Sequence, residues 1–396
     1  MTESANEKGR GVEVGVMIAS ASAGDELRDF ASRLTADIAG PLEQASGRNW
    51  RFQRGELVRL EDNEKRRGAD FVSEASLRLA EGSYDLMLVI TDATLVSRQQ
   101  RIVSGLTSPL TRICVISTRQ LRKPGRGPDE ALDDEKVRWN AAALALNLIG
   151  RVLGAGTSAA GTGAMARFRL DPKRAKAETF DKADRIDRLA DRFIEPEYRT
   201  RGAIGELWAH LRGAISQPLM ILKALVHNRA PFLALRLPGF AAAALAPVFL
   251  LVFTAEIWDA GLGMSPATAW SYAAISIAAA TLYLSFVQRL FLPRKDGPTI
   301  PKHLAVANDV IFMTIFLGVI GLFAMLILFS LALEILVFPQ GLISTWPTLQ
   351  DPQVDFYDKL RLAAFISTVG ITTGALAGGL QRQDVLRQLA LFETAA

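Results

Sequence analysis

Cysteine and histidine are scarce in this sequence of 396 residues. Cys114 is the only cysteine, which excludes a disulfide framework and a zinc-thiolate cluster. The histidines are His210, His227 and His303, and none belongs to a pair with the helical spacing of a metal site. All three lie in or beside the apolar half of the chain, so no Ser/His/Asp or Cys/His catalytic set can be assembled.

The chain also has little excess of either sign of charge, since its formal net charge is only +4. Basic residues alternate with acidic ones along the chain, which argues against a nucleic-acid-binding protein. No phosphate-binding loop of the type GxxxxGK[ST] is present. Ser22 follows a predicted strand and is interpreted as a helix N-cap rather than part of a phosphate-binding turn.

Long apolar runs are abundant in the second half of the sequence. The candidate membrane spans are residues 238–258, 267–287, 310–338 and 362–380, each long enough to cross about 30 Å of hydrocarbon. Pro247 lies inside the first span and is expected to kink it. The fold class is therefore an α/β N-terminal domain followed by an all-α transmembrane domain of four helices.

Basic residues recur in alternate loops of the apolar half. They precede span one, lie between spans two and three, and follow span four; these residues are Lys223, Arg229, Arg236, Arg289, Arg294, Lys295, Lys302, Arg382 and Arg387. The positive-inside rule then predicts a multi-pass protein of the cell inner (plasma) membrane with both termini cytoplasmic. A signal peptide is the competing interpretation of the N-terminus. Glu13 within an alternating valine pattern favours a β-strand there instead.

The spans themselves contain few ionisable residues. Glu256 and Glu334 lie near span ends, and the lack of charge at mid-depth argues against ion-coupled transport. Gly370, Gly374 and Gly378 repeat every fourth residue in span four, which predicts a helix-packing face. That face serves either within one chain or in a homo-oligomer, and Ile371 is expected on another, lipid-facing side.

Strand-like and helix-like patterns alternate in the first half, which predicts an α/β sheet. The expected organisation is a cytoplasmic α/β domain (1–155), a flexible linker (156–178), amphipathic juxtamembrane helices (179–231), the transmembrane domain (232–381) and a cytoplasmic tail (382–396). The helix predicted at about residues 204–227 is apolar on one face and basic on the other. It either lies on the inner membrane surface or packs on the α/β domain.

Four stretches of the α/β domain occur in a recognisable order. They are DLMLVITDATL (85–95), IVSGL (102–106), ICVISTRQLR (113–122) and NLIGRVLG (147–154). Over about seventy residues this order resembles the core of the archaemetzincin-type zinc peptidases, where the last element is a zinc helix with the motif HExGHxxG. The resemblance implies a zincin-like mixed sheet with helices.

The residues that carry the peptidase chemistry differ from that motif. Asn147 stands at the first histidine position, Leu148 at the glutamate position, Arg151 at the second histidine position and Thr157 at the third ligand position. An amide, an apolar side chain and a guanidinium cannot hold Zn²⁺ or serve as a general base. The resemblance therefore implies an inactive metallopeptidase domain, a pseudoenzyme without a metal or other cofactor.

Other positions keep the residue types of the family. Thr91, Asp92, Arg119, Gly150 and Gly154 are the family-like structural positions, and Asp92 is also a candidate cap of the segment that follows it. The expected function is a non-catalytic membrane protein whose cytoplasmic domain binds a ligand, a peptide or a protein partner, as a sensor or scaffold. The alternatives are an oligomeric membrane effector or channel gated by the soluble domain, and a hydrolase with an unrelated site.

Overall fold

The computed structural model describes most of the chain. The described residues are 11–21, 24–61, 65–82, 84–123, 129–156, 158, 163–181, 184, 186–190, 197–199, 205, 208, 210, 212–213, 215, 218–233, 237–293, 299–338, 354–378 and 383–394.

The chain divides into two compact units. The first, here called the α/β unit, comprises Met1–Gln217, Leu292–Asn308 and Arg387–Ala396, and the second, the helical unit, comprises Pro218–Phe291 and Asp309–Leu386. The sequence-based division is linear, with a separate tail at 382–396. The structure differs because two later stretches of the chain fold with the N-terminal domain.

The first part of the chain alternates strands and helices. In order these are β1 (Val12–Ser20), α1 (Asp25–Ser46), β2 (Trp50–Arg59), β3 (Arg66–Arg67), α2 (Gly68–Glu81), β4 (Leu86–Thr91), β5 (Leu95–Val96), β6 (Ile102–Val103), β7 (Gly105–Ser108), β8 (Ile113–Ser117), α3 (Thr118–Leu121), α4 (Glu135–Leu153), α5 (Ile186–Ala190) and β9 (Glu197–Arg199).

The second part is mainly helical. In order it contains α6 (Pro218–Asn228), α7 (Pro238–Val252), α8 (Ala255–Gly263), α9 (Pro266–Phe286), β10 (Thr299–Pro301), α10 (Lys302–Val337), α11 (Phe356–Gly378), α12 (Gln383–Leu391) and β11 (Glu393–Thr394).

A mixed six-stranded sheet forms the centre of the α/β unit, in the order β11-β7-β8-β4-β1-β2. Strands β2, β1, β4 and β8 are parallel, and β7 is antiparallel to both β8 and β11. Alternate residues of β1, such as Val14 and Val16, share one core with Leu34 of α1 and Leu144 of α4. Strands β4 and β8 are buried along their whole length, as is usual for parallel strands covered on both faces.

The C-terminal segment, residues 387–394, completes this sheet. Glu393 and Thr394 pair with Thr107 and Leu106 of β7. Phe392 is fully buried and lies against Gly68, where an added Cβ would be 2.7 Å from the ring. The side-chain oxygen of Gln388 accepts a hydrogen bond from the Ala69 amide at 3.1 Å. These contacts join residues that are at least 286 positions apart, so local patterns in the sequence could not reveal them.

The stretch between the second and third apolar helices also belongs to the α/β unit. Strand β10 pairs in antiparallel fashion with β9, and Ile300 in its middle is buried. The Leu292 amide donates to the Asn308 side chain at 2.9 Å. The described residues of this connection therefore belong to the α/β unit.

Among the described residues, three helices are long and apolar enough to cross a membrane, and up to four spans are present if a bent pair is one span. The bent pair is α7 and α8, which meet at 90°. The kink expected at Pro247 stays a prediction: α7 continues past Pro247 and ends at Val252. The indole of Trp258 donates to the Val252 carbonyl at 2.8 Å across the break, which stabilises the bend at residues 253–254.

Helix α11 approaches α7 closely at two glycines. A Cβ added at Gly370 would lie 2.6 Å from a Val248 methyl, and one at Gly374 would lie 2.9 Å from the Ala244 Cβ. Gly378 is the last residue of α11, and its surroundings lie outside the described residues. Ile371 is fully buried, so its expected lipid-facing position is wrong.

Helix α6 presents apolar side chains outward. Leu222 and Val226 are 57% and 69% exposed, beside the exposed Lys223 and Arg229. Only parts of the helices expected at about 180–193 and 204–227 are described, as α5 and α6; the remainder lies largely outside the described residues.

Candidate functional site

Helix α4 contains most of the positions at which the sequence resembles a zinc helix. It begins after Asp134, whose side chain accepts the Lys136 amide at 2.8 Å as an N-cap. It ends at Gly154, which has φ 95° and whose amide donates a hydrogen bond to the Arg151 carbonyl at 3.0 Å. A positive φ favours glycine here, so Gly154 acts as a helix terminator.

Leu148, at the position of the general base, belongs to the core. Its side chain is fully buried. A Cβ added at Gly105 of β7 would lie 3.0 Å from a Leu148 methyl and 3.1 Å from one of Leu144. A glycine at this place in β7 thus allows close contact between the sheet and α4.

Asn147, at the first ligand position, binds backbone. It is 1% exposed, and its amide nitrogen donates to the carbonyls of Ala164 and Ala166, each at 2.8 Å. Met165 between them is fully buried against Gly150. The Asn147 carbonyl oxygen has no hydrogen-bond partner within the described part of the chain.

Asn140, about two turns earlier on α4, binds the same stretch of chain further along. Its side chain donates to the Asp171 carbonyl at 2.8 Å and accepts the Asp171 amide at 3.0 Å. The segment of residues 163–178, here called the strap, therefore lies along α4, held by two asparagines. These residues lie within the flexible linker predicted at 156–178. Asn140 and Asn147 flank an apolar stretch of α4, and this spacing is the sequence signal that could have indicated a bound segment.

A cleft of about 350 Å³ lies between α4 and the strap. Side chains that line it include Ala143, Asn147, Arg167, Phe168, Arg169 and Arg174. Arg174 pairs with Glu178, which also lines the cleft. The cleft is therefore lined by several arginines and one aromatic residue beside Asn147 of α4.

Zn²⁺ does not fit the donors found here. The first-ligand position is occupied by an amide that binds backbone, and Arg151 is a cation in the last turn of α4. Thr157 lies outside the described residues. Within the described part of the chain, no group of three or more His, Cys, Asp or Glu side chains could hold a metal ion.

The remaining family-like positions lie where the parallel strands end. The Thr91 hydroxyl accepts the Ala93 amide at 3.1 Å, and the Ser20 hydroxyl donates to the Asp92 carboxylate at 2.6 Å. Thr118 donates to the Thr91 carbonyl at 3.2 Å. Arg119 is exposed on the short helix α3. The hydrogen bonds of Thr91 and Asp92 stabilise the loops at the ends of β1 and β4. Asp92 contributes to this through its bond from Ser20.

Cys114 lies inside the sheet on β8. It is fully buried, and its sulfur is 3.8 Å from the Thr107 hydroxyl. Burial raises the pKa of the Cys114 thiol to about 12. The thiol therefore stays protonated at physiological pH and is a packing group.

Comparisons with known proteins give remote structural similarities. No protein-family model matches the chain, and no curated protein matches it significantly. It is similar to a zinc-dependent peptidase from Methanocorpusculum labreanum, with 14% identity and a TM-score of 0.33, over 44% of this chain and 98% of that one. It is also similar to archaemetzincin from Methanopyrus kandleri, with 16% identity and a TM-score of 0.31, over 47% of this chain and 98% of that one. Likeness at this level carries no activity over to this chain, so its own residues decide the chemistry.

Proposed function

We propose that this chain is a non-catalytic, multi-pass membrane protein whose α/β unit binds a ligand or a protein partner in the cytoplasm, as a sensor or scaffold. The observation that supports this is the cleft between α4 and the strap. Small-ligand sites are concave and have a few polar groups at fixed positions. The cleft has these features, and its arginines lie beside the position where the zinc ligands would be.

The absence of peptidase chemistry follows from the side chains present. Hydrolysis by a zinc peptidase needs a metal-bound water and a carboxylate base. Leu148 at the base position is in the core, and Asn147 is engaged with the strap backbone. These positions support the proposal that the site is a pseudoenzyme site that binds without catalysing.

Metal analysis of the full chain in neutral detergent tests the non-catalytic part of this proposal. The full chain is needed because residues 292–308 and 387–396 belong to the α/β unit. We expect no stoichiometric zinc and no rise in unfolding temperature on adding it. Tightly bound zinc at one equivalent, with peptidase activity, would overturn the proposal.

Photocrosslinking in cells tests the binding part. A photoreactive residue at Arg169, in the cleft, should give a discrete adduct. The same residue at Arg101, which is exposed on a different loop, should not. Identical adducts, or none, from both positions would contradict a binding role for the cleft.

We further propose four membrane crossings, with both termini in the cytoplasm of a cell bounded by an inner (plasma) membrane. The chain returns to the α/β unit twice, at 292–308 and at 387–396. A soluble unit on one side of a bilayer requires an even number of crossings before each return. Helix α9 supplies one crossing before the first return, so the bent pair α7–α8 supplies the other. Helices α10 and α11 supply the two crossings before the second return.

Reporter fusions test this topology. A reporter inserted at Asp296, outside the described residues, and another after Ala396 should both report cytoplasm. A reporter at Asp259, near the opposite end of the first crossing, should report the other side. A non-cytoplasmic signal from either of the first two would overturn the four-crossing arrangement.

The second candidate function is an oligomeric membrane effector or channel gated by the α/β unit. The observation that favours it is that β10 and β11, which adjoin apolar helices in sequence, are paired strands of the α/β unit. A ligand-induced change in those sheets could then move the helices. Conductance of the purified protein in liposomes distinguishes the two candidates: a channel should conduct ions, and a scaffold should not.

A further inference from the structure

The strap is a fixed platform on α4. Asn147 holds it at Ala164 and Ala166, and Asn140 holds it at Asp171, through four hydrogen bonds of 2.8–3.0 Å. The residues between these anchors, 167–170, include both exposed arginines of the cleft. Groups on a platform of this kind lose less entropy on binding a ligand than groups on a free loop.

Cations dominate the strap between residues 167 and 176. They are Arg167, Arg169, Lys173, Arg174 and Lys176, against the single acid Asp171. The Asp171 carboxylate accepts the Lys173 amide at 2.9 Å, which makes it part of a local turn. Arg174 is paired with Glu178. The positive charge left over is therefore concentrated on the other four cations.

Arg167 and Arg169 are the cations available to a ligand in the cleft. Both are exposed and line it, and neither has an ion-pair partner among the residues described here. Phe168 between them is half-buried, with the Arg174 guanidinium 6.0 Å from its ring centre. Two exposed arginines two residues apart on a fixed backbone thus line one small concavity.

We propose that this cleft binds a phosphate-bearing anion, with Arg167 and Arg169 as the binding residues. A guanidinium offers paired N–H donors that match two oxygens of one phosphate. The cleft volume of about 350 Å³ suits a small molecule or a single headgroup. The proposal rests on the binding role proposed above and specifies the ligand chemistry.

Calorimetric titration of the full chain in neutral detergent with glycerol 3-phosphate tests it. We expect saturable binding that weakens as salt is raised, because both arginines are exposed to solvent. The double substitution Arg167→Gln and Arg169→Gln should weaken binding about tenfold or more. Arg101→Gln with Lys136→Gln is the matched control, since it removes the same charge from exposed positions outside the cleft.

Two results would overturn the proposal. One is the absence of saturable binding to the unsubstituted protein. The other is an equal loss of affinity in both double variants, which would mean that general charge, rather than the cleft, attracts the anion. A photocrosslink from position 169 together with no phosphate binding would leave the proposed binding role standing and reject this inference alone.

Nanodiscs distinguish the two sources of the phosphate group. The titration is repeated in discs of phosphatidylcholine alone and in discs that also contain phosphatidylglycerol. Weaker glycerol 3-phosphate binding in the second kind of disc, seen only with Arg167 and Arg169 intact, supports the site and assigns it to lipid headgroups. Unchanged affinity supports the site and assigns it to a soluble phosphate compound.

Discussion

Asn147 and Leu148 are neighbours on α4 and are both buried, yet they serve different purposes. Leu148 fills space against Gly105 of β7, whereas Asn147 satisfies two carbonyls of the strap. Unpaired carbonyls in this place would each cost about 1–3 kcal/mol. Both side chains are therefore parts of the folded structure, and we expect their replacement to affect stability first.

Leu148→Glu would restore the residue type of the family's general base, and we expect it to destabilise the α/β unit. The carboxylate would replace a fully buried leucine that packs against β7 at Gly105, at a cost of about 3 kcal/mol or more. Thermal unfolding of the full chain in detergent measures this. Leu148→Met is the control and should cost less than about 1.5 kcal/mol. Equal tolerance of both would show that this position is open to water.

Cys114 should resist alkylation in the folded protein. Its pKa of about 12 leaves only about one thiol in ten thousand as the reactive thiolate at pH 8, and the buried sulfur is shielded by the sheet. We expect maleimide labelling only after denaturation, measured by intact mass. A cysteine introduced at the exposed Arg101 should react within minutes in the same native sample. Rapid labelling of Cys114 itself would mean that β7 and β8 separate readily.

At the scale of single elements, sequence patterns predict what depends on neighbouring residues. The apolar runs predict α9, α10 and α11 because hydrophobic length is a local property. Alternating apolar residues predict β1, and short apolar runs predict β4 and β8. The bend between α7 and α8 lies after Val252 rather than at Pro247, and a contact across it, from the Trp258 indole to the Val252 carbonyl, is not visible in the local pattern. For the site, the pattern identifies α4, but not the strap that Asn140 and Asn147 hold.

Gly374→Ile should destabilise the helical unit, since a side chain at this place would collide with Ala244 of α7. Overpacking of this kind costs about 1–3 kcal/mol or more. Leu376→Ile is the matched control on the same helix, because Leu376 is 60% exposed and would face lipid. Thermal stability of the detergent-solubilised protein reports both. If the two variants unfold at the same temperature, the glycine contact does not hold α11 against α7.

The whole molecule shows long-range features that a linear division by composition omits. Residues 387–394 follow the last apolar helix, and the linear division assigns them to a cytoplasmic tail at 382–396. In the structure they supply the edge strand β11 and the buried Phe392. Pairing between distant segments depends on a surface that exists only in the folded protein. Here β11 pairs with β7, and Phe392 packs against Gly68. An N-terminal fragment of this protein would therefore lack part of its own sheet.

Phe392→Ala tests how strongly the C-terminal segment holds that sheet. Removing a fully buried phenylalanine leaves a cavity against Gly68 and should cost about 3–5 kcal/mol. Because β11 has only two paired residues, this loss should release the segment before the rest of the unit unfolds. Hydrogen exchange should then rise in β7, which loses its outer partner, and remain slow in β4, which lies between β8 and β1.

Gly374→Ile is the control from the helical unit and should leave exchange in β7 unchanged. If β7 in the Phe392→Ala protein exchanges as slowly as in the unsubstituted protein, the segment covers the sheet without holding it. The gating candidate would then lose the C-terminal one of its two connections to the apolar helices.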